Sequence, residues 1–149
     1  MLTLDEAPFT SGRVTFLDSS LENTEPTAKI YVKIRPEGLE SPVVAQVDTG
    51  APWSILEPEI AEAIGALDQA GAPVTIASRV GDVSGHLVKV TLTLVADEGS
   101  SLDIDATVFV SREWPRGNFL GYSGLLESIR FALDPQENQF YFGGYAEAL

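Results

Sequence analysis

Apolar and polar residues alternate with a period of two along most of this chain, and rarely with the period of a helix. Over residues 28–35, Ile30, Val32 and Ile34 share one face, with Lys29, Tyr31, Lys33 and Arg35 on the other. Residues 86–95 set Val88, Val90, Leu92 and Leu94 against Leu87, Lys89, Thr91 and Thr93. Both read as strands with one face on a core. The run 42–47 is almost continuously apolar and reads as a buried strand. Further strands are predicted at 13–17, 74–79, 103–110, from about 129 to Leu133, and at 139–142. Between them lie a polar loop through Pro26, a turn at Pro36-Glu37-Gly38, and a hairpin turn at Asp134-Pro135-Gln136-Glu137-Asn138. Residues 80–85 read as the turn joining 74–79 to 86–95. The best helix is 57–65, where Pro58 and neighbouring acids suit a helix N-terminus and Gly65 ends it. A second, short one is predicted at 124–129. The pattern is that of an all-β barrel with one or two short helices, and no internal repeat is evident.

Composition narrows the picture. With 149 residues and 44% apolar content, the chain is expected to form one domain with a real core. It has no cysteine, so disulfides and thiolate chemistry are excluded. The first residues show no basic start followed by an apolar run, and no stretch reaches membrane-spanning length. The expectation is a cytoplasmic protein with no membrane partner. A formal charge of −13 repels phosphate backbones, so no nucleic-acid partner is expected.

The most informative run is Val44-Ala45-Gln46-Val47-Asp48-Thr49-Gly50-Ala51. A core strand delivers one carboxylate into a turn that reads as too tight for any residue but glycine. A bare Asp-Thr-Gly is most often only a turn, but this one hangs from a buried strand, and Ser54-Ile55-Leu56 returns at once to apolar sequence. Hydrolysis of a peptide bond without metal or covalent intermediate needs a base to activate water and an acid to polarise the carbonyl. Two carboxylates in contact do both, because such a pair shares one proton; aspartic proteases are the standard case. The chain holds one copy of the motif, so a dyad requires two chains.

Val47-Asp48-Thr49-Gly50-Ala51 with Ser54 resembles the active-site loop of the retropepsin-like aspartic peptidases, bacterial type. Asn118-Phe119-Leu120-Gly121 is similar to their second signature, which passes beneath that loop. The resemblance covers about residues 28–142. It implies a closed acid-protease barrel with a flap hairpin at 74–95, and a homodimeric endopeptidase acting on peptide or protein substrates without metal or other cofactor. It further implies that Asp48, Thr49 and Gly50 form the catalytic turn, with Thr49 reaching the opposite loop. Ala51 and Trp53 beside the turn, and Gly81 and Gly85 near the flap tip, would then contact substrate.

Departures from the family accompany the match. Viral members follow Asp-Thr-Gly-Ala with two acids, and their second signature often continues with an arginine that pairs with one of them. Here Pro52 and Trp53 stand in the first place, Tyr122 and Ser123 in the second. Both ends of one ion pair are missing together, which avoids an uncompensated buried charge. Trp53 and Tyr122 are expected to pack across or near the dimer interface instead. The same substitutions keep open an alternative, a dimeric peptide-binding module without catalysis, and beyond it a monomeric barrel with Asp48 as a turn residue. His86, the only histidine, reads as structural or surface. Asp103 and Asp105 read as a solvated face, and Trp114 as a loop aromatic packed on the barrel.

Overall fold

The computed structural model describes residues 1–18, 29–79 and 81–145. The polar loop through Pro26, Val80 of the expected hairpin turn and the tail from Ala146 lie outside the described residues. In chain order the strands are β1 (Thr3–Leu4), β2 (Ala7–Pro8), β3 (Gly12–Thr15), β4 (Ile30–Pro36), β5 (Val43–Val47) and β6 (Ser54–Ile55). After helix α1 (Pro58–Ala63) come β7 (Ala72–Ser78), β8 (Gly81–Leu94), β9 (Glu98–Gly99), β10 (Leu102–Val110) and β11 (Phe119–Leu120). A 3-10 turn at Leu126–Ser128 precedes β12 (Ile129–Asp134) and β13 (Gln139–Gly144).

Six strands close on themselves in the order β10–β6–β11–β5–β4–β8 and back to β10. Closure removes the exposed sheet edges that an open sheet would have to protect. The alternation read from the sequence fills this barrel: Val32 and Ile34 from β4, Val88, Val90, Leu92 and Leu94 from β8, and Ile104, Ala106 and Val108 from β10 are all buried. At about 1.5–3 kcal/mol per buried aliphatic side chain, these rows are the main source of stability. Between Val108 and Val110 the alternation breaks, because Phe109 is also fully buried. Its ring belongs to a second apolar cluster, outside the barrel, with Ile55 and Val83.

A second sheet, in the order β12–β13–β3–β9, caps the barrel and adds Val14, Phe140 and Phe142 to its core. β13 pairs with β12 on one side and β3 on the other, so the C-terminal strand has no free edge. The sheet is tied to the barrel by charge. Asp97 accepts hydrogen bonds from Lys33 Nζ of β4 at 2.7 Å and from the amide of Thr15 at 2.8 Å. These bonds, the lysine's first, hold the Asp97 carboxyl below the usual aspartate range. Arg13 reaches Glu98 and, at 3.0 Å, Gln139 Oε1, joining three strands of the sheet.

Several local expectations are corrected. Helix α1 ends at Ala63, with Gly65 at φ +76, as its glycine stop implied, but 124–129 forms only the 3-10 turn. The hairpin turn expected over 80–85 is much shorter. β7 and β8 pair from Ala72↔Leu87 through Ile76↔Val83 to Ser78↔Gly81, so residues 81–85 are strand. The register explains why: Val74, Ile76 and Val83 line one apolar face, and Thr75 bonds Ser84 at 3.2 Å on the other. The N-terminal hairpin β1–β2, turning through Asp5 and Glu6 at positive φ, was not foreseen. No helix among the described residues is long and apolar enough to cross a membrane.

Candidate active site

β5 lies between β4 and β11, and at its end the chain turns through Asp48, Thr49 and Gly50. The Asp48 amide donates to Leu120 O at 2.9 Å, carrying the parallel β5–β11 ladder one residue past the strand. Gly50 N donates to Asp48 Oδ1 at 3.0 Å, and Ala51 N to Asp48 O at 3.1 Å. The carboxylate is thus oriented by its own turn and left half-buried, with one oxygen engaged. Gly50 does not take a positive φ, and a Cβ on it would lie 3.4 Å from Asp48 Oδ1, an ordinary contact. Within one chain, therefore, the turn does not require glycine, contrary to the sequence expectation. Thr49 is exposed, and its hydroxyl makes no hydrogen bond to the described residues.

The second signature does pass beneath the turn. Phe119 and Leu120 pair with Gln46 and Val47, and Gly121 N donates at 2.9 Å to the hydroxyl of fully buried Ser54. A Cβ on Gly121 would overlap the backbone of Trp53 and Ser54, so here glycine is demanded by close approach. Tyr122 and Ser123 then bond the carbonyls of Ala51 and Pro52 at 2.8 and 2.9 Å. Asn118 locks the base: its Oδ1 accepts from Glu57 N at 2.8 Å, and its Nδ2 donates to Val44 O at 3.2 Å. Glu57 in turn holds Gly117 N through Oε1 at 3.0 Å.

Beside Asp48 opens a cleft of about 520 Å³. Its floor is Trp53, Ile55 and Phe119, its side wall Trp114, and its roof residues 74–78 of the β7–β8 hairpin. Trp114 stands edge-on to Phe119, with ring centroids 5.9 Å apart, and its indole N–H donates to Gly117 O at 2.9 Å. It packs on the barrel as expected, and it also lines the cleft. Asp48, Gly50, Ala51 and Trp53 all border this space. Gly81 and Gly85 are not among its lining residues. Gly81 begins β8 at φ +111, and Gly85 lies against Phe109 and the Val110 carbonyl, where a side chain would clash. Trp53 faces the cleft cluster of its own chain, whereas Tyr122 is exposed.

The cleft residues that sequence reading missed are Ile55, Val74, Ile76 and Phe119. They come from three strands, and only the period-two spacing of Val74 and Ile76 carried a usable signal. A second recess of about 580 Å³ borders Glu37, Lys89, Thr91 and Asp105 and shares no lining residue with the cleft. Three of its polar side chains are bonded across the strands, Lys89 to Thr107 and Thr91 to Asp105. Asp103 is likewise bonded by Thr93. No group of three or more histidine and carboxylate side chains among the described residues could hold a metal ion. His86 sits on β8 between Pro73 and Val110, and its buried Nε2 has no hydrogen-bond partner among the described residues.

No protein-family model matches the sequence, and no curated protein is similar to it. Among solved structures, the chain is similar to a retropepsin-like aspartic protease from Rickettsia conorii. The match has a TM-score of 0.57 and 17% identity, and covers 88% of this chain and 98% of that one. The chain has a retropepsin-like fold. The likeness at this identity is one of architecture, so what Asp48 does must be argued from its surroundings.

Proposed function

We propose that the protein is an aspartic endopeptidase that works as a homodimer, each chain contributing Asp48 to one dyad. The observation that carries this reading is the half-buried Asp48 carboxylate at the border of an aromatic-floored cleft roofed by a hairpin. One chain supplies one carboxylate at this site, and the chemistry needs two, so the second comes from a symmetry-related copy. Thr49, whose hydroxyl makes no hydrogen bond to the described residues, would meet the opposite turn. Gly50, not demanded by its own backbone, leaves room for that approach or for substrate.

In the proposed reaction an extended peptide lies between the Asp48 pair and the hairpin. The ionised carboxylate takes a proton from a water molecule, whose oxygen attacks the carbonyl carbon. The protonated carboxyl donates to the carbonyl oxygen, and collapse of the tetrahedral intermediate moves a proton to the leaving nitrogen as the C–N bond breaks. Ala51 and Trp53 border the substrate's path. In this reading the enzyme works in the cytoplasm.

The test is cleavage of a peptide library over acid and neutral pH by the wild type and Asp48→Asn. Loss of all cleavage, with folding and mass in solution unchanged, is the expected result. Full activity in the variant contradicts the proposal. Binding of peptides without turnover by the wild type would favour the non-catalytic module, for which Pro52 and Trp53 in place of the family's acids are the motivation.

A further inference from the structure

β8 is one continuous strand that belongs to two structures. From Leu94 back to His86 it pairs with β10, and from Leu87 to Gly81 it pairs with β7. The β10 ladder stops at Val110↔His86, so beyond that point the hairpin leaves the barrel. At the point of departure Gly85 is pressed against Val110 O and the Phe109 ring, a contact that only a residue without Cβ allows. The next residue after β10 is Ser111, 4% exposed. Its hydroxyl donates to Ser84 O at 2.6 Å and accepts from Glu113 N at 3.1 Å. A side chain thus replaces the next rung of the ladder.

The same residue starts the segment that carries the cleft wall. Trp114 N donates to Ser111 O, and the Trp114 indole is pinned to Gly117, itself pinned to Glu57 beside helix α1. That wall is fixed to the barrel, and Ser111 connects it to the hairpin.

We propose that the Ser111 hydroxyl is a latch that sets the closed position of the β7–β8 hairpin over the cleft, with Gly85 as the point about which the hairpin leaves the barrel. The Ser111 hydroxyl bonds Ser84 and Glu113, neither of which lines the cleft, so it is a positioning residue. Its bond to Ser84 holds Val83 down in the cluster with Ile55 and Phe109, and thereby fixes the height of the roof above Asp48. The inference rests on reading the hairpin as a flap over the proposed active site, but its test needs no turnover.

That test is amide hydrogen exchange on the full chain. In Ser111→Ala, the amides of β7 and of residues 81–84 are expected to exchange about tenfold faster, the loss of one buried hydrogen bond. Amides of residues 88–93, in the barrel part of the same strand, keep their wild-type rates, and Ser111→Thr, which retains the hydroxyl, restores protection. Unchanged exchange of the hairpin in Ser111→Ala overturns the latch. So does an equal rise in hairpin and barrel, which would mean that Ser111 only stabilises the fold. An inactive wild type would remove the peptidase reading while leaving this measurement to decide the latch by itself.

Discussion

The floor and the roof of the cleft are built on opposite principles. The Asp48 turn is held from every side by the barrel: Leu120 bonds its first amide, Tyr122 and Ser123 bond its far arm, and Asn118 and Ser54 fasten the strands below. The hairpin above it pairs, past Gly85, strand to strand within itself, and is joined to the rest through Ser111 and the apolar contacts of Val74, Ile76 and Val83. A reacting carboxylate must be kept within a fraction of an ångström, whereas a roof must admit a polypeptide. The comparison teaches that the two halves of this site should fail differently. Damage to the floor should cost global stability, and damage to the roof should change the cleft while the barrel remains folded.

Substitutions can break or sharpen that contrast. The largest effect is expected at Asn118, where alanine would strand Glu57 N and Val44 O in a mostly buried place. Asn118→Ala should cost about 2–4 kcal/mol in denaturant unfolding with the slope unchanged. Gly121→Ala comes next, at about 1–3 kcal/mol for forcing a methyl against the Trp53 and Ser54 backbone. On the roof, Val83→Ala removes part of the apolar contact between the hairpin and the Ile55 and Phe109 side chains below it. It should lower global stability by less than about 1 kcal/mol and show its effect as weaker peptide binding. A Val83 variant as destabilised as the Asn118 one would erase the distinction between floor and roof.

The smallest effect concerns neither half of the cleft but the join between barrel and capping sheet. Asp97 has its folded pKa depressed by Lys33 and the Thr15 amide, so its contribution is present above the ordinary aspartate range, about pH 4. That contribution is lost as pH falls through the lower, folded value. Asp97→Asn should therefore flatten the acid limb of stability against pH and leave the wild-type and variant curves converging at low pH. Both partners are well exposed, which keeps the effect small and makes it weaken with salt. An acid limb identical in the two proteins would contradict the assignment.

What could be read from the chain follows the same division. Long strands with one buried face announce themselves, and β4 and β8 were legible because Val32, Ile34, Val88, Val90, Leu92 and Leu94 repeat every second residue. β6 and β11, two residues each, are too short to carry a period, although they complete the barrel. β1 and β2 are exposed on both faces and have no apolar signal at all. Residues 81–85 misled in the other direction. Gly81, Asp82, Ser84 and Gly85 have turn chemistry, but pairing with β7 and the burial of Val83 outweighed local preference. Gly85, expected near the flap tip and against substrate, is a packing glycine.

The Asp48 turn was legible because its residue types and the buried strand before it point the same way. The cleft was not, since Trp53, Ile55, Val74, Trp114 and Phe119 meet only through the fold. Gly50 remains instructive: nothing among the described residues needs it, which turns attention to whatever approaches from outside.

A crystal structure of the protein with a statine-type transition-state mimic measures that approach directly. The expected result is two chains about one inhibitor, with the two Asp48 carboxylates within about 3 Å of each other beneath both hairpins. A single chain holding the inhibitor, or two chains whose Asp48 side chains face bulk solvent, would contradict it.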